Sequence, residues 1–575
     1  MRTNEQSLDL ARSWVENEYF DQSDRAGLAE ILKSGNDDEI FELFYKDLSF
    51  GTAGLRSIVG FGPNRMNVYN VTKAAYSLGK ASLNSGGTSV AISYDSRHTS
   101  EEYSKKSAEI LAKLGLDVYI VPRPTPTPLL SFFIRELKCS CGIMMTASHN
   151  PPEYNGFKAY WSDGGQLIPP NDQAVMSIFK ETSWSELDFE SIRSGKIKTI
   201  DQSTYDKYFE VMYKQHLRAD FIKANHEKLS IIYTPLHGVG GESAQRAFTE
   251  LGFSKFSVLA SQGEPNGDFP TTNYPNPEDP EALTLAVESM IKSHADLVIA
   301  SDPDADRMGI AINDKEVYYP TGNEIVYFLL YYKLLTLKEF NQLPKNAFII
   351  RTIVTSRLQD KIAKHFNVDV HETLTGFKWI CAGIDERKDL EFIFGSEESF
   401  GSLSHNGLRD KDGISSATLF AEMMLFYKAK NMKLVDLKDE LFKLFGYHEE
   451  RLVSLNYEGS SGLGRIQSIM DGMRLDGVHE ITDLKAISVR DYLGLYEYSF
   501  ANSARRKLDF SHSSNVLSFY YEEGLTVHVR PSGTEPKIKF YLQYESPDYH
   551  KDSKMKAKII MERVSEAIRG YCEQA

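Results

Sequence analysis

Four stretches of this 575-residue chain have residue types and spacings suited to phosphate, metal and sugar hydroxyls. The first is Thr146-Ala147-Ser148-His149-Asn150-Pro151-Pro152, directly after the apolar run Gly142-Ile143-Met144-Met145. The run reads as a buried strand, and the paired prolines can continue neither a ladder nor a helix, so Ser148 is predicted on a rigid loop at a strand end. A serine hydroxyl is a weak nucleophile, and phosphoryl or acyl chemistry there needs a base, a metal or prepared donors. His149 is adjacent and Lys158 follows ten residues on. A turn rich in hydrogen-bonding side chains accounts for the same residues equally well. Serine hydrolysis is the weaker reading, since no Gly-x-Ser-x-Gly elbow surrounds Ser148.

The second stretch is Ser301-Asp302-Pro303-Asp304-Ala305-Asp306-Arg307, hung from the apolar run Leu297-Val298-Ile299-Ala300. Alternate side chains of an extended segment point the same way, so the three carboxylates are predicted to face one point. Unpaired, they would repel and raise one another's pKa, and a hard divalent cation such as Mg²⁺ is the economical counter-charge. An EF-hand is excluded because its sixth position needs Gly and its twelfth Glu, where this chain has Arg307 and Asn313. A solvated acidic turn is the plain alternative, disfavoured at a buried strand end, where α/β folds place ligands. The third stretch, Gly395-Ser396-Glu397-Glu398-Ser399-Phe400-Gly401, offers a carboxylate and a hydroxyl for vicinal sugar hydroxyls, though a helix-capping turn explains it alone. The fourth, Val527-His528-Val529-Arg530-Pro531-Ser532-Gly533-Thr534-Glu535-Pro536-Lys537, joins an arginine, two hydroxyls, backbone N–H groups around Gly533 and a lysine, the parts of a phosphate cradle. An ordinary charged β-turn is its alternative. Phe50-Gly51-Thr52-Ala53-Gly54-Leu55-Arg56 adds a glycine turn presenting one guanidinium.

These groups need elements to hold them. Apolar periodicity predicts an N-terminal helical extension to about residue 48, then a helix around Val71 to Leu83, a strand Ser89 to Tyr94, the loop Asp95-Ser96-Arg97-His98, a helix to Leu114 and a strand Asp117 to Val121. That is a βαβ cadence. It restarts at strand Leu229 to Tyr233, before the turn Pro235-Leu236-His237-Gly238-Val239-Gly240-Gly241, and again at strand Ala347 to Ile353. Residues 263 to 280, dense in Pro, Asn, Asp and Gly, read as loop. Strands and helices beyond about 450 have a different, α+β rhythm. At about 150 residues per domain the length suggests roughly four domains, drawn here at 1–216, 217–320, 321–446 and 447–575.

Composition, 41% hydrophobic and 25% charged, is that of a soluble globular chain. A net charge of −15 argues against nucleic-acid and anionic-membrane partners. The four cysteines, Cys139, Cys141, Cys381 and Cys572, show no zinc or disulfide spacing and read as reduced thiols. With no apolar leader and no spanning stretch, a cytoplasmic protein is expected.

Taken in order, the Thr146–Pro151, Asp302–Arg307, Glu397–Gly401 and Arg530–Thr534 loops resemble the four active-site motifs of the α-D-phosphohexomutases, the phosphoglucomutase branch foremost. The resemblance runs from about Phe50 to Lys537. It implies an α/β protein of four domains around a central cleft, three of related α/β topology and a C-terminal α+β domain. It implies a phosphoglucomutase that interconverts glucose 1-phosphate and glucose 6-phosphate through a phosphoserine at Ser148 and glucose 1,6-bisphosphate; phosphomannomutase or phosphopentomutase chemistry is the alternative. In that scheme Ser148, Asp302, Asp304 and Asp306 hold Mg²⁺, while Arg56 and Arg307 stabilise the phosphoryl group. His149, Lys158 and Lys411 lie near the transferring oxygens, where a lysine of lowered pKa could act as acid or base. Gly376, Lys378, Glu397 and Ser399 contact sugar, and Arg530, Ser532, Gly533, Thr534 and Lys537 grip the other phosphate. Ser396 stands where phosphoglucomutases often have Gly, which bears on sugar preference. A non-catalytic sugar-phosphate binder should have lost the serine or an aspartate, and a phosphatase would have to admit water.

Overall fold

The structure is a computed structural model that describes residues 2–48, 54–189, 195–457, 459–475, 484–532 and 537–574. Its contacts divide the chain into two compact units, Met1–Gly322 with Phe377–Phe426, and Asn323–Gly376 with Tyr427–Ala575.

The first unit begins with three helices, Asn4–Glu16, Gln22–Ser34 and Asp37–Phe44, as the apolar spacing predicts. They enclose a small core of Ala11, Trp14, Phe20, Leu28, Ile40 and Phe44 against Tyr69. Tyr69 also anchors the extension, donating its hydroxyl to Asp24 at 2.6 Å. A six-stranded sheet follows, built from β1 (Leu55–Ile58), β2 (Ser89–Tyr94), β3 (Asp117–Ile120), β4 (Cys141–Met145), β5 (Tyr154–Trp161) and β6 (Ile197–Thr199) in the order β1-β5-β4-β2-β3-β6. β2 is parallel to β3 and β4, and both β2 and β4 are buried throughout, as expected of central strands with helices on both faces.

The strand after the serine loop is not visible in the apolar pattern. The chain passes the prolines and returns as β5, antiparallel to β4, with Lys158 directly opposite Met144. The polar residues Asn155 and Lys158 hide it: Lys158 meets Asp304 and Asp306, while Asn155, on the opposite face of the strand, donates to Thr99 and Ser100. Gly156 permits the close return: a Cβ there would lie 2.4 Å from the Thr146 carbonyl oxygen and 2.8 Å from that of Leu55.

A second sheet contains β7 (Ile231–Thr234), β8 (Phe256–Val258), β9 (Leu297–Ser301), β10 (Met308–Asn313) and β11 (Val317–Tyr318), ordered β11-β10-β9-β7-β8. β9 and β10 are antiparallel with Ser301 opposite Met308, so residues 302–307 form the loop between them. The 235–241 turn supports this loop from below. A Cβ on Gly238 would sit 2.3 Å from Pro303 Cα, and Val239 N–H donates to the Pro303 carbonyl at 2.8 Å. The same unit contains the antiparallel pair Glu391–Glu397 and Gly401–Leu403 and most of the helix Gly413–Ala429, up to Phe426.

In the second unit, strands Ala347–Thr352 and Asp369–Thr373 are parallel. A seven-stranded sheet runs, in spatial order, Tyr447–Asn456, Lys537–Ser546, Leu525–Pro531, Leu517–Tyr521, Ala486–Asp491, Tyr496–Ser499 and Arg505–Lys507. All its neighbours are antiparallel, which is the change of rhythm read in the sequence beyond residue 450. Among the described residues, no helix is long and apolar enough to cross a membrane.

Candidate active site

The first unit brings Ser148, the aspartate loop and two lysines together. Ser148 is 2% exposed and takes a left-handed backbone, φ +52°, at the end of β4. Its Oγ donates to Asp302 Oδ2 at 2.7 Å and lies 3.2 Å from His149 Nδ1. Asp302, Asp304 and Asp306 are all buried, and one carboxylate oxygen from each lies within 4.8 Å of the others. They converge by a route other than the expected extended segment. Ala305 is left-handed, φ +56°, and its N–H donates to the Asp302 carbonyl at 2.9 Å. Asp302 Oδ1 then accepts the N–H groups of Asp306 and Arg307, each at 3.1 Å. The loop is a turn closed by its own aspartate, a conformation such residues favour, and alternation along a strand is not its cause.

The electrostatics also correct the expectation of three carboxylates that all push one another up. Burial, with Asp304 and Asp306 nearby, raises Asp302 well above the carboxylate range. For Asp304 burial is outweighed by Lys158, whose Nζ donates to its Oδ2 at 2.7 Å, and the carboxyl is held low. Burial and Asp304 oppose ionisation of Asp306, yet Lys411, at 3.1 Å, and Lys158, at 3.4 Å, hold it low as well. The same pairs act on the lysines. Burial alone would lower Lys158 and Lys411, but their carboxylate neighbours raise both, so neither has the lowered pKa expected of an acid–base lysine. Of the lysines expected at the site, Lys378, half-buried in the first turn of helix Phe377–Asp385, is one that burial lowers.

The cluster fits a hard cation. Among the described residues, none donates a hydrogen bond to the buried Asp304 Oδ1 or Asp306 Oδ1, a costly state for carboxylate oxygens unless something positive meets them. The donors are all oxygen, as Mg²⁺ prefers.

Other expected residues take these positions. Arg56 donates to Asn150 Oδ1 of the serine loop at 2.9 Å, and Arg307 to Glu278 Oε1 at 2.5 Å. Glu397 is buried, raised by that burial, and 4.0 Å from Lys411 Nζ. Ser399 is partly exposed between the two strands of the Glu391–Leu403 pair. Gly376, Arg530, Ser532 and Lys537 belong to the second unit, where Arg530 lies opposite Lys539 and Ser532 N–H donates to the Lys537 carbonyl at 2.7 Å. Gly533, Thr534 and the Phe50–Ala53 part of the glycine turn lie outside the described residues.

Several contributors escape the sequence reading. Thr127 Oγ1 donates to Asp304 Oδ2 at 2.7 Å from the first turn of helix Thr127–Glu136, with no motif to mark it. Asp410 accepts the Tyr160 hydroxyl at 2.7 Å and Gln166 Nε2 at 3.0 Å, and lies 3.5 Å from Lys411 Nζ; its position next to Lys411 was the available signal. Glu278 lies in the 263–280 segment whose composition marks a loop and nothing more, and only the fold brings it to Arg307.

Four segments match the domains described as phosphoglucomutase/phosphomannomutase α/β/α domains I, II and III and C-terminal domain, over residues 47–186, 206–315, 321–445 and 478–560. A phosphoglucomutase of Staphylococcus aureus strain MRSA252 is 35% identical over 521 residues, 89% of this chain and 92% of its own. The chain belongs to the phosphoglucomutase/phosphomannomutase family. Solved structures of this family share the fold. The Paramecium parafusin phosphoglucomutase, in an open form, superposes with a TM-score of 0.66 at 21% identity, covering 91% of this chain and 96% of that one. A family protein from Burkholderia thailandensis gives 0.64 at 20% identity, covering 90% and 97%. The protein is therefore a four-domain phosphohexomutase, an enzyme of the mutase class.

Proposed function

We propose that the enzyme is a phosphoglucomutase that interconverts glucose 1-phosphate and glucose 6-phosphate, with Ser148 as phosphoryl carrier and domain boundaries near residues 216, 320 and 446. The observation that supports this most directly is Ser148 Oγ at 2.7 Å from Asp302, in one cluster with the unsatisfied oxygens of Asp304 and Asp306. Asp302, Asp304, Asp306 and an oxygen of phosphorylated Ser148 would hold Mg²⁺. Bound there, it would supply positive charge to offset that of the phosphoryl group.

The chain's own residues do the rest of the work. The O–P bond at Ser148 Oγ breaks as a bond to the sugar O6 or O1 forms, giving glucose 1,6-bisphosphate. The sugar then turns round, and its other phosphoryl group returns to Ser148. Arg56 and Arg307 meet the charge spread over the transferring oxygens, for which Arg307 must exchange its Glu278 partner. The proton shed by the sugar hydroxyl, and the one required at Ser148 Oγ, fall to His149, Lys158 and Lys411. Both lysines are held charged in this arrangement and so begin as donors. Glu397, Ser399, Gly376 and Lys378 bind the sugar, and Arg530, Ser532, Gly533, Thr534 and Lys537 the non-reacting phosphate.

Incubation with glucose 1-phosphate, Mg²⁺ and a trace of glucose 1,6-bisphosphate should yield glucose 6-phosphate and little free phosphate. Phosphate as the main product would make the protein a phosphatase. Competition among glucose, mannose and ribose 1-phosphates should give glucose the highest kcat/KM. A preference for mannose or ribose phosphate would overturn the substrate while leaving the phosphoserine route standing.

A further inference from the structure

Arg97 has no place in the chemistry above, yet it is 3% exposed and both of its terminal nitrogens reach into the serine loop. Nη1 donates to the carbonyls of Pro151 at 2.7 Å and Tyr154 at 2.8 Å. Nη2 donates to those of Ser148 at 2.8 Å and Asn150 at 2.5 Å. Nε lies 3.2 Å from Asp95 Oδ2, and the guanidinium sits 5.0 Å from the centre of the Phe269 ring. Asp95 is itself fixed. Its N–H donates to the Met145 carbonyl at the end of β4 at 3.0 Å, while its Oδ1 accepts from Arg97 N–H at 3.0 Å and Ser100 Oγ at 2.7 Å.

We propose that Arg97 is the positioning residue of the phosphoryl carrier: its planar fork, gripping four carbonyls between Ser148 and Tyr154, holds Ser148 Oγ against the aspartate loop and Asn150 beneath Arg56. Two features make such a grip necessary. Ser148 sits in a left-handed conformation that costs an L-residue free energy, so the loop would relax without outside restraint. The loop also bends sharply through two prolines, and its buried carbonyls need donors that Arg97 supplies. A lysine cannot replace the fork, since its three donors radiate from one nitrogen and cannot reach four fixed acceptors in a plane. The inference rests on the reading of Ser148 as the carrier.

The test compares the parent with Arg97→Lys, which keeps the charge, after incubation with glucose 1,6-bisphosphate. Phosphate on Ser148 is followed by intact mass, and turnover of glucose 1-phosphate is followed alongside. A serine displaced by about 1 Å loses on the order of 100-fold in rate. Arg97→Lys should therefore take up phosphate and turn over about 100-fold more slowly, with KM within about threefold of the parent. A general structural defect would instead lower the folded fraction without that split, which circular dichroism and the unfolding midpoint report. If folded Arg97→Lys matches the parent in both rates, the inference is overturned. If the parent itself takes no phosphate at Ser148, the carrier reading falls and takes the inference with it. Should Arg97→Lys fail to fold, Asp95→Asn keeps the shape at position 95 but removes the charge that orients Nε. It should lower kcat by about tenfold at unchanged KM, and a kcat equal to the parent's overturns the inference.

Discussion

Lys158 is the counter-ion of the aspartate cluster when no divalent cation is bound, and removing it should expose that role. In Lys158→Met the side chain keeps its bulk, but Asp304 Oδ2 loses its ammonium and keeps the neutral Thr127 hydroxyl at 2.7 Å, while Asp306 keeps Lys411 at 3.1 Å and Arg307 at 3.8 Å. Breaking a buried ion pair from one side costs about 3–5 kcal/mol, because the remaining charge is uncompensated. That loss should appear in full with EDTA present. Mg²⁺ restores positive charge at the same place, and a ligand at 100 times its Kd adds about 2.7 kcal/mol to the folded state. The gap between variant and parent should therefore narrow in Mg²⁺, and Mg²⁺ should bind the variant more tightly. The assay is urea unfolding read by hydrogen exchange in Ser89–Tyr94 and Cys141–Met145, so that the transition followed belongs to the first unit. Adding Asp304→Asn to Lys158→Met should recover part of the loss as a measurable coupling. A loss below about 1 kcal/mol in EDTA, the range of an exposed pair, would refute the reasoning.

Chelation should abolish phosphoryl transfer while leaving far-ultraviolet circular dichroism unchanged; full turnover after exhaustive EDTA treatment would count against the aspartate site. In the second unit, burial, with Lys361 and Arg357 near His448 and Arg351 and Arg357 near His528, lowers both histidines to about 3. The unfolded chain binds protons below its histidine pKa near 6.5 that the folded state refuses, so stability falls as pH drops from there toward 3, by about 2 kcal/mol per histidine at pH 5. Glu450, raised by burial to about 7, drifts the opposite way, so the comparison to make is between parent and His528→Gln. The variant should lose about 2 kcal/mol less between pH 7 and pH 5, and equal losses would show that His528 is not buried neutral. Arg530→Ala should raise KM at little cost to kcat, whereas a reduced kcat at unchanged KM would move Arg530 into the transition state.

The elements that carry the site were legible where their residues answer to one demand. Ser89–Tyr94, Cys141–Met145 and Leu297–Ser301 are buried throughout and mostly apolar because both faces are covered, and each ends in a loop whose polar residues stand out against the run. β5 was not legible, since Lys158 answers to the site and Asn155 to the polar Thr99–Ser100 helix start, and together they break the apolar pattern of a strand. The aspartates were found through alternation, but their convergence depends on a left-handed Ala305, which the sequence does not mark. The charge states of the lysines could not be read at all. They depend on Lys158 meeting Asp304, 146 residues away, and such a distance along the chain is closed only by the fold. Arg97 was visible as one polar residue in a loop after β2, and its four carbonyl partners appear only once β4 and β5 lie side by side.

Every step of the proposed reaction passes through a phosphoryl group on Ser148. Intact-mass and peptide spectra of the enzyme treated with glucose 1,6-bisphosphate should show one phosphate, located on Ser148, and glucose 1-phosphate should discharge it. Ser148→Ala should carry none and turn over far more slowly than the parent. An unmodified Ser148 in active enzyme, or turnover by Ser148→Ala within tenfold of the parent, about 1.4 kcal/mol of barrier, would contradict it.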